Sequence, residues 1–198
     1  MNPAPGPQSP GPCVLLVGMM GTGKSTVAGL LASALGYGLV DTDRLVEARA
    51  GRTVAEIFSQ EGEQHFRSAE AHAVAELGEM EGPVVVSVGG GAVLAAANRQ
   101  AMRALGTVVW LRARPATLAE RVGAGHGRPL LSTGSDESSG ATAPHEVLVR
   151  LDDERRALYE EVADLVVDVD DLSAPQVARR VADALAERSA RARGGRPG

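Results

Sequence analysis

Apolar residues along this chain follow two spacings that alternate with each other. Short unbroken apolar runs, typical of buried strands, are followed by longer stretches in which apolar positions recur at the spacing of a helix face. Such alternation predicts an α/β fold, with a parallel sheet and helices on both of its faces. Strands are predicted near residues 13–17, 38–41, 83–88, 107–112 and 165–169. Helices are predicted near residues 24–35, 43–50, 54–60, 63–80, 96–105, 115–123, 145–162 and 174–190.

Three segments depart from this alternation and suggest the domain organisation. Residues 1–12 are rich in Pro and Gly, and residues 188–198 are rich in Arg and Gly, so both are predicted to be disordered tails. One domain is predicted over residues 13–187, a length that can build a single hydrophobic core. Within it, residues 123–144 are rich in Gly, Ser and Thr, and so long a loop in a compact domain is typical of a functional lid.

The first predicted strand leads into a phosphate-binding loop. Residues 18–25 read Gly-Met-Met-Gly-Thr-Gly-Lys-Ser and match the pattern G-x-x-x-x-G-K-[ST] in full, with a strand before and a helix after. Lys24 is the only lysine among twenty basic residues, and its compact ammonium suits a loop that wraps phosphate oxygens. The Ser25 hydroxyl is a predicted ligand of Mg²⁺. The pattern predicts nucleotide binding by Gly21, Thr22, Gly23, Lys24, Ser25 and Thr26.

Two aspartates, Asp41 and Asp43, come after the second predicted strand. One can hold Mg²⁺, directly or through water, while the other orients or deprotonates a substrate hydroxyl. The third predicted strand does not end in an aspartate, the usual metal ligand beside a phosphate loop, so Asp41 is predicted to take that role. The alternative left open by the sequence is that the pair caps the helix that runs from Arg44.

Glycines and arginines indicate a place for a small anionic ligand. Residues 89–91 are three glycines after the third predicted strand, where bare backbone can approach a ligand and offer it N–H groups, or can simply form a tight turn. Arg67, Arg128 and Arg155 are informative only in combination. Glu70 lies one helical turn beyond Arg67 and is placed to hold its side chain. Arg128 lies in the predicted lid, whose closure would bring it onto a transferring phosphoryl group.

Composition and charge exclude several classes of function. The net charge of −5 argues against a general nucleic-acid binder, which needs a basic face. No apolar run approaches the roughly 20 residues of a membrane span, and no signal peptide is recognised. Cys13 is the only cysteine, which rules out an internal disulfide. The sequence therefore predicts a cytoplasmic protein with no nucleic-acid or membrane partner.

Taken together and in order, these motifs resemble those of shikimate kinase. The resemblance spans residues 13–187, and the combination is far more specific than a phosphate-binding loop alone. The matching segments are Gly-x-Met-Gly-x-Gly-Lys-Ser-Thr at 18–26, Asp-Thr-Asp at 41–43, Gly-Glu-x-x-Phe-Arg-x-x-Glu at 62–70, Gly-Gly-Gly-Ala at 89–92, Arg-Pro-Leu at 128–130 and Arg-x-x-Leu-Tyr at 155–159.

The resemblance implies a fold like that of the P-loop nucleoside monophosphate kinases, a three-layer sandwich around a five-stranded parallel sheet. It implies a monomer that uses ATP and Mg²⁺ to phosphorylate the 3-hydroxyl of shikimate. Ser25 and Asp41 would hold the metal, Arg121 would stack on adenine, and Phe58 and Phe66 would pack near the shikimate ring. The implied catalytic residues are Lys24, Asp43 and Arg128, the last also contacting the γ-phosphate. The implied shikimate ligands are Asp43, Arg67, Gly89, Gly90, Gly91 and Arg155.

One departure and two alternatives accompany this interpretation. The segment 132–140 is extra relative to the family pattern and lies in the predicted lid. A kinase of another small hydroxy acid, such as gluconate, would use the same paired arginines. A nucleotide-binding regulatory module without phosphoryl transfer is the alternative of another class. It is disfavoured because the chain has neither an N-K-x-D nor a D-x-x-G motif.

Overall fold

A computed structural model describes residues 13–123 and 144–194, and in it five strands form one parallel sheet. The strands are β1 Cys13–Val17, β2 Gly38–Asp41, β3 Val84–Ser87, β4 Gly106–Arg112 and β5 Leu165–Asp168. Their order across the sheet is β2-β3-β1-β4-β5, and every neighbouring pair is parallel. All five predicted strands are confirmed, each to within a residue or so at its ends.

Helices flank this sheet, as the alternating pattern predicts. They are α1 Lys24–Leu35, α2 Thr42–Ala50, α3 Val54–Glu76, α4 Ala96–Leu105, α5 Pro115–Gly123, α6 Pro144–Val162 and α7 Ala174–Gly194. Short 3₁₀ helices occupy Leu77–Glu79 and Ala92–Leu94. Helix α1 packs against α7, and α4 packs against both α3 and α6. Among the described residues, no helix has the length and apolar character needed to cross a membrane.

Two details differ from the sequence-based expectation. The helices predicted near 54–60 and 63–80 are joined in α3 across Gly62, whose left-handed φ of 83° interrupts the helical backbone. Helix α7 continues to Gly194, beyond its predicted end near residue 190, and so overlaps the predicted tail 188–198. Arg188, near the end of this helix, donates to the Asp164 carboxylate at 2.7 Å. The predicted tail 1–12 and almost all of the predicted lid lie outside the described residues.

The central strand β1 is buried in the core and paired on both sides. All five of its residues are buried, and β3 and β4 pair with it on either side. Buried apolar side chains of this kind contribute about 1.5–3 kcal/mol each to folding. A second, smaller cluster of buried side chains, formed by Val46, Ile57, Phe66 and Ala73, joins α2 to α3 beside the sheet.

The strand pairing brings the predicted site residues to one edge. Ser87, the last residue of β3, is level with Leu16 of β1 on one side and with Asp41 of β2 on the other. Since all the strands are parallel, the loops that follow them leave the same edge of the sheet, where ligands bind in open α/β folds. The phosphate-binding loop, Asp41 at the end of β2, Asp43 at the start of α2 and the three glycines after β3 therefore meet there.

Candidate active site

The phosphate-binding loop holds its lysine with its own backbone. Lys24 Nζ donates to the carbonyl oxygens of Gly18 at 2.8 Å and Met19 at 3.0 Å, so the ammonium folds back over the loop. Gly21 and Gly23 both have left-handed φ angles, of 82° and 86°. These conformations, which glycine adopts without strain, let the chain turn tightly before α1 begins at Lys24. The result is a helix amino terminus with a lysine beside it, an arrangement that binds phosphate.

Ser25 and Asp41, which the sequence predicts as metal ligands, are in direct contact. Ser25 Oγ donates to Asp41 Oδ2 at 2.8 Å, which joins the start of α1 to the end of β2. The other oxygen, Asp41 Oδ1, accepts the backbone N–H groups of Asp43 and Arg44 and caps α2. This helix cap does not exclude the predicted metal site, because the other oxygen, Oδ2, takes no part in it. A hydroxyl and a carboxylate are hard oxygen ligands of the type that Mg²⁺ prefers.

Ser87 lies where a phosphate-binding fold usually has the strand-terminal aspartate. Its hydroxyl is 3.2 Å from Ser25 Oγ, and its side chain is buried. Ser87 is not among the residues predicted from the sequence, although the absence of an aspartate at the end of β3 is a signal that points to this position.

A cleft of about 360 Å³, here called the main cleft, opens beside the phosphate-binding loop. It collects side chains from α1, α2, α3 and α6 and backbone from the glycines after β3. The described residues that line it are Met20, Gly21, Gly23, Lys24, Ser25, Thr26, Asp43, Glu47, Val54, Phe58, Phe66, Arg67, Glu70, Gly90, Gly91 and Arg155. The predicted nucleotide loop and most of the predicted shikimate ligands thus share one cavity.

Asp43, from the first turn of α2, lines the main cleft together with Lys24 of the phosphate-binding loop. Burial raises the pKa of its carboxyl, and the negative charge of Asp41 raises it further, while Lys24 and Arg67 act in the opposite direction. A carboxylate with a raised pKa binds a proton more readily than an exposed aspartate does. Asp43 is therefore chemically suited to accept a proton from a hydroxyl held in the cleft.

Arg67 is positioned by two glutamates and two aromatic rings. Its Nη1 donates to Glu70 Oε2 at 2.9 Å, and its Nη2 donates to Glu63 Oε1 at 2.9 Å. The guanidinium carbon lies 5.3 Å from the centroid of the Phe66 ring and 6.0 Å from that of Phe58, which are cation–π distances. The predicted support of Arg67 by Glu70 is confirmed.

Glu70 and Arg155 each keep one buried polar atom without a hydrogen-bond partner among the described residues. The atoms are Glu70 Oε1 and Arg155 Nε. Glu70 is 1% exposed and Arg155 is 3% exposed. Burial raises the pKa of Glu70 against the lowering effect of Arg67. Unsatisfied buried polar atoms are costly, and both of these residues line the main cleft, so a polar ligand there would offer them partners.

The three glycines are required by close contacts rather than by unusual backbone angles. None of the three has a positive φ in the described chain. A Cβ atom on Gly89 would lie 2.8 Å from Asp43 Oδ1, and one on Gly91 would overlap the guanidinium of Arg67. The tight-turn alternative is also present, because the Gly89 carbonyl accepts the N–H of Ala92 at 3.1 Å, but a turn without positive φ does not by itself require glycine. Gly90 and Gly91 line the main cleft, whereas the N–H group of Gly89 is already donated to Thr42 Oγ1 at 2.8 Å.

Two further predicted residues lie away from the main cleft or outside the described chain. Arg121 Nη2 donates to the carbonyl oxygens of Val169 at 2.7 Å and Asp170 at 3.1 Å, so it lies against the loop after β5. Arg128 lies outside the described residues, as does the segment 132–140.

Comparison with known proteins identifies the family. The family model described as shikimate kinase matches residues 20–186. The chain belongs to the shikimate kinase family. A shikimate kinase of Symbiobacterium thermophilum is 46% identical over 180 residues, which cover 90% of this chain and 98% of that protein. One from Moorella thermoacetica is 41% identical over 172 residues, covering 87% and 93% of the two chains.

A solved structure of a related protein has the same fold and contains shikimate. The shikimate kinase of Acinetobacter baumannii in complex with shikimate superposes with a TM-score of 0.81 at 32% identity, covering 91% of this chain and 96% of that one. The predicted P-loop kinase fold is thereby confirmed, together with the resemblance from which it was inferred. As a member of the shikimate kinase family, the chain is an enzyme that phosphorylates shikimate with ATP. The gluconate-kinase and regulatory-module alternatives do not describe this family.

Proposed function

We propose that the main cleft binds shikimate next to the phosphates of ATP and transfers the γ-phosphoryl group to the 3-hydroxyl. The observation that supports this proposal is the convergence of Arg67, Arg155 and Asp43 on a cavity that Lys24 and the phosphate-binding loop also line. Two guanidinium groups suit an anionic acceptor, and a buried carboxylate suits a hydroxyl.

Arg67 and Arg155 are proposed to bind the carboxylate of shikimate. A guanidinium presents parallel N–H groups that match both oxygens of a carboxylate. Arg67 is already held by Glu63 and Glu70, so little side-chain entropy is lost when it binds a ligand. Arg155 has the buried Nε that lacks a partner among the described residues, and a ligand carboxylate would satisfy it. Phe58 and Phe66, whose ring centroids are 4.7 Å apart, are proposed to cover the ring of the substrate.

Asp43 is proposed to hold the 3-hydroxyl and to accept its proton as the oxygen attacks the γ-phosphorus. The raised pKa of its carboxyl supports this role, because a stronger base accepts the proton more readily. Gly90 and Gly91 are proposed to approach the ring closely from the opposite wall. Gly89 is proposed to act through its neighbours, because its N–H group is bonded to Thr42.

On the nucleotide side, backbone N–H groups of residues 21–26 are proposed to bind the phosphate oxygens of ATP. Lys24 is proposed to neutralise the charge that develops on the transferred group, with Arg128 assisting it. Arg121, held at the loop after β5, is proposed to stack on adenine.

The Ser25 and Asp41 oxygens are proposed to hold Mg²⁺, and their separation of 2.8 Å supports a shared site. When bound, the metal would neutralise phosphate charge during the transfer. Within residues 13–123 and 144–194 there is no group of three or more His, Cys, Asp or Glu side chains that could hold a metal ion. This scarcity fits a Mg²⁺ site that is completed by phosphate oxygens and water, as is usual for this ion.

A monomeric state and a cytoplasmic location are proposed as well. The reduced thiol of Cys13, the only cysteine, is buried in β1 and is compatible with a reducing compartment.

The reaction is tested by coupling ADP release to an optical assay, with ATP and Mg²⁺ and with shikimate, gluconate or no acceptor. We expect ADP release only with shikimate, and phosphorus NMR of the product should show a phosphate ester on the 3-position. Release with gluconate instead, or with no acceptor at an equal rate, would contradict the proposal. Arg179→Ala, which alters an exposed arginine on α7, is the control for general effects of removing a charge.

A further inference from the structure

The loop of three glycines is bonded at two successive residues by buried hydroxyl groups. Thr42 Oγ1 accepts the N–H of Gly89 at 2.8 Å, and the Tyr159 hydroxyl donates to the carbonyl of Gly90 at 2.6 Å. Both side chains are 0% exposed. Thr42 comes from the start of α2 and Tyr159 from α6, so the two bonds reach the loop from different elements.

Neither Thr42 nor Tyr159 is among the described residues that line the main cleft. Their hydrogen bonds nevertheless fix the positions of residues that do line the cleft, namely Asp43 and Gly90. Thr42 stands between Asp41 and Asp43, so its bond to Gly89 sets the distance between the Asp43 carboxylate and the glycine loop. The contact is tight, because a Cβ on Gly89 would lie only 2.8 Å from Asp43 Oδ1.

Tyr159 is itself rigidly placed. Its ring stacks on Trp110 of β4, with centroids 5.7 Å apart and planes 20° apart, so the hydroxyl has little freedom to leave Gly90. Burial raises the pKa of this hydroxyl, which therefore stays protonated and able to donate. Arg155, one turn earlier on α6, directs Nη1 to the same carbonyl at 3.5 Å, and its charge and its hydrogen bonding to the Tyr159 hydroxyl partly offset the effect of burial on that pKa. The long contact to Gly90 holds the guanidinium only weakly, whereas the Tyr159 hydroxyl interacts with both groups.

We propose that Thr42 and Tyr159 are positioning residues that hold the glycine loop in the shape that admits shikimate. Thr42 sets the spacing between Asp43 and the loop, and Tyr159 holds both the Gly90 carbonyl and the Arg155 guanidinium beside the substrate site. This inference rests on the proposed shikimate site. It assigns a role to two side chains that do not touch the substrate.

Thr42→Val and Tyr159→Phe each remove one hydroxyl and keep nearly the same shape. Each leaves a backbone group of the loop without its partner, and we expect the KM for shikimate to rise about tenfold, the effect of losing one buried hydrogen bond. The KM for ATP should change by less than about twofold, because the phosphate-binding loop keeps its own bonds. Thr42→Ser restores the hydroxyl and should return the shikimate KM to near the wild-type value.

Two controls separate this role from general destabilisation. Tyr37→Phe alters the only other tyrosine, which precedes β2 at the opposite end of the sheet, and should leave both KM values unchanged. Thermal melting followed by the fluorescence of Trp110, the only tryptophan, reports the folded fraction. A merely structural role would lower that fraction, and hence the apparent kcat, without raising the shikimate KM.

The wild-type assay distinguishes the two proposals. If the wild type does not phosphorylate shikimate, the proposed function fails; if it does, and folded variants keep the wild-type shikimate KM, only the positioning role fails. An equal rise in both KM values would also overturn it. Should Thr42→Val fail to fold, Tyr159→Phe, which removes a single oxygen from an otherwise unchanged ring, decides the outcome alone.

Discussion

The hydroxyl of Ser25 donates to the carboxylate of Asp41 at 2.8 Å, although 16 positions separate the two residues. This contact joins the phosphate-binding loop to the end of β2, directly before the first turn of α2, which carries Asp43. It places a candidate metal ligand from β2 beside the nucleotide loop, in a protein whose β3 ends in Ser87 rather than in an aspartate. The Asp41 carboxylate uses one oxygen for this contact and the other to cap α2.

Asp41→Asn separates these two uses. Asparagine caps helices about as well as aspartate, so α2 should persist and the melting temperature should change little. Loss of the charge should weaken Mg²⁺ binding, and we expect the Mg²⁺ concentration at half-maximal rate to rise about tenfold or more. The measurement is the rate as a function of Mg²⁺ at saturating ATP and shikimate. An unchanged Mg²⁺ dependence would assign Asp41 to capping alone.

Lys24→Ala should mainly reduce turnover. The ammonium is held at the phosphate loop by the carbonyl oxygens of Gly18 and Met19, where it can stabilise developing charge. By comparison with other preorganised charge stabilisers, kcat should fall roughly a hundredfold or more. Steady-state kinetics together with a melting curve tests this expectation. A normal kcat in the folded variant would be incompatible with the proposed role.

Arg67→Ala should instead raise the KM for shikimate. The side chain would supply charged hydrogen bonds to the substrate carboxylate, so the KM should rise roughly ten- to a hundredfold, with a smaller change in the KM for ATP. The matched control is Arg179→Ala, on the exposed face of α7, which should behave as the wild type. An increase confined to the KM for ATP would contradict this role and would indicate that Arg67 binds the nucleotide.

Gly91→Ala tests whether space at the glycine loop is needed for Arg67. The backbone of Gly91 has a φ of −93°, which alanine adopts readily, but the added methyl group would overlap the Arg67 guanidinium. Since that group is the end of a flexible side chain, the fold should survive while Arg67 is displaced. We expect a higher shikimate KM, whereas Gly29→Ala, where the nearest atom would be 3.9 Å away, should be silent in the same assay.

Asp43→Asn should make the protein more stable near neutral pH while abolishing most of its activity. The pKa of Asp43 is raised in the folded protein, mainly by burial, so folding favours the protonated form. Its ionisation therefore costs stability as the pH rises through that raised pKa, and the cost vanishes below the ordinary aspartate pKa of about 3.9. The Asn variant should melt higher than the wild type at pH 7, and the difference should shrink as the pH falls toward 4.

The corresponding activity profile has the same origin. In the wild type, kcat/KM should fall on the acid side as Asp43 becomes protonated, at a pH above the ordinary aspartate pKa. Asp183→Asn, a change at an exposed carboxylate on α7, should alter neither profile. If the difference in melting temperature between Asp43→Asn and the wild type did not change with pH, folding would not raise the pKa of Asp43.

Several features of this protein were determined by the sequence alone because they depend on neighbours along the chain. The apolar spacing predicted the strands and helices, and the Gly-Lys-Ser pattern identified the phosphate loop. The sequence Thr53-x-x-Glu56 is a capping-box pattern, which is likewise a relation over three residues, and both of its hydrogen bonds are present at the start of α3. The motif order was sufficient to identify the family before any contact was known.

Only the tertiary structure decided which polar groups are hydrogen-bonded inside the protein and which face the cleft. The N–H of Gly89 is bonded to Thr42, 47 positions away, and the carbonyl of Gly90 is bonded to Tyr159, 69 positions away. The proximity of Ser25 to Ser87 is also a long-range contact, over 62 positions. The strand order β2-β3-β1 and the packing of α6 create these contacts. Because many strand orders share the same local sequence preferences, periodicity and motif spacing could not reveal them.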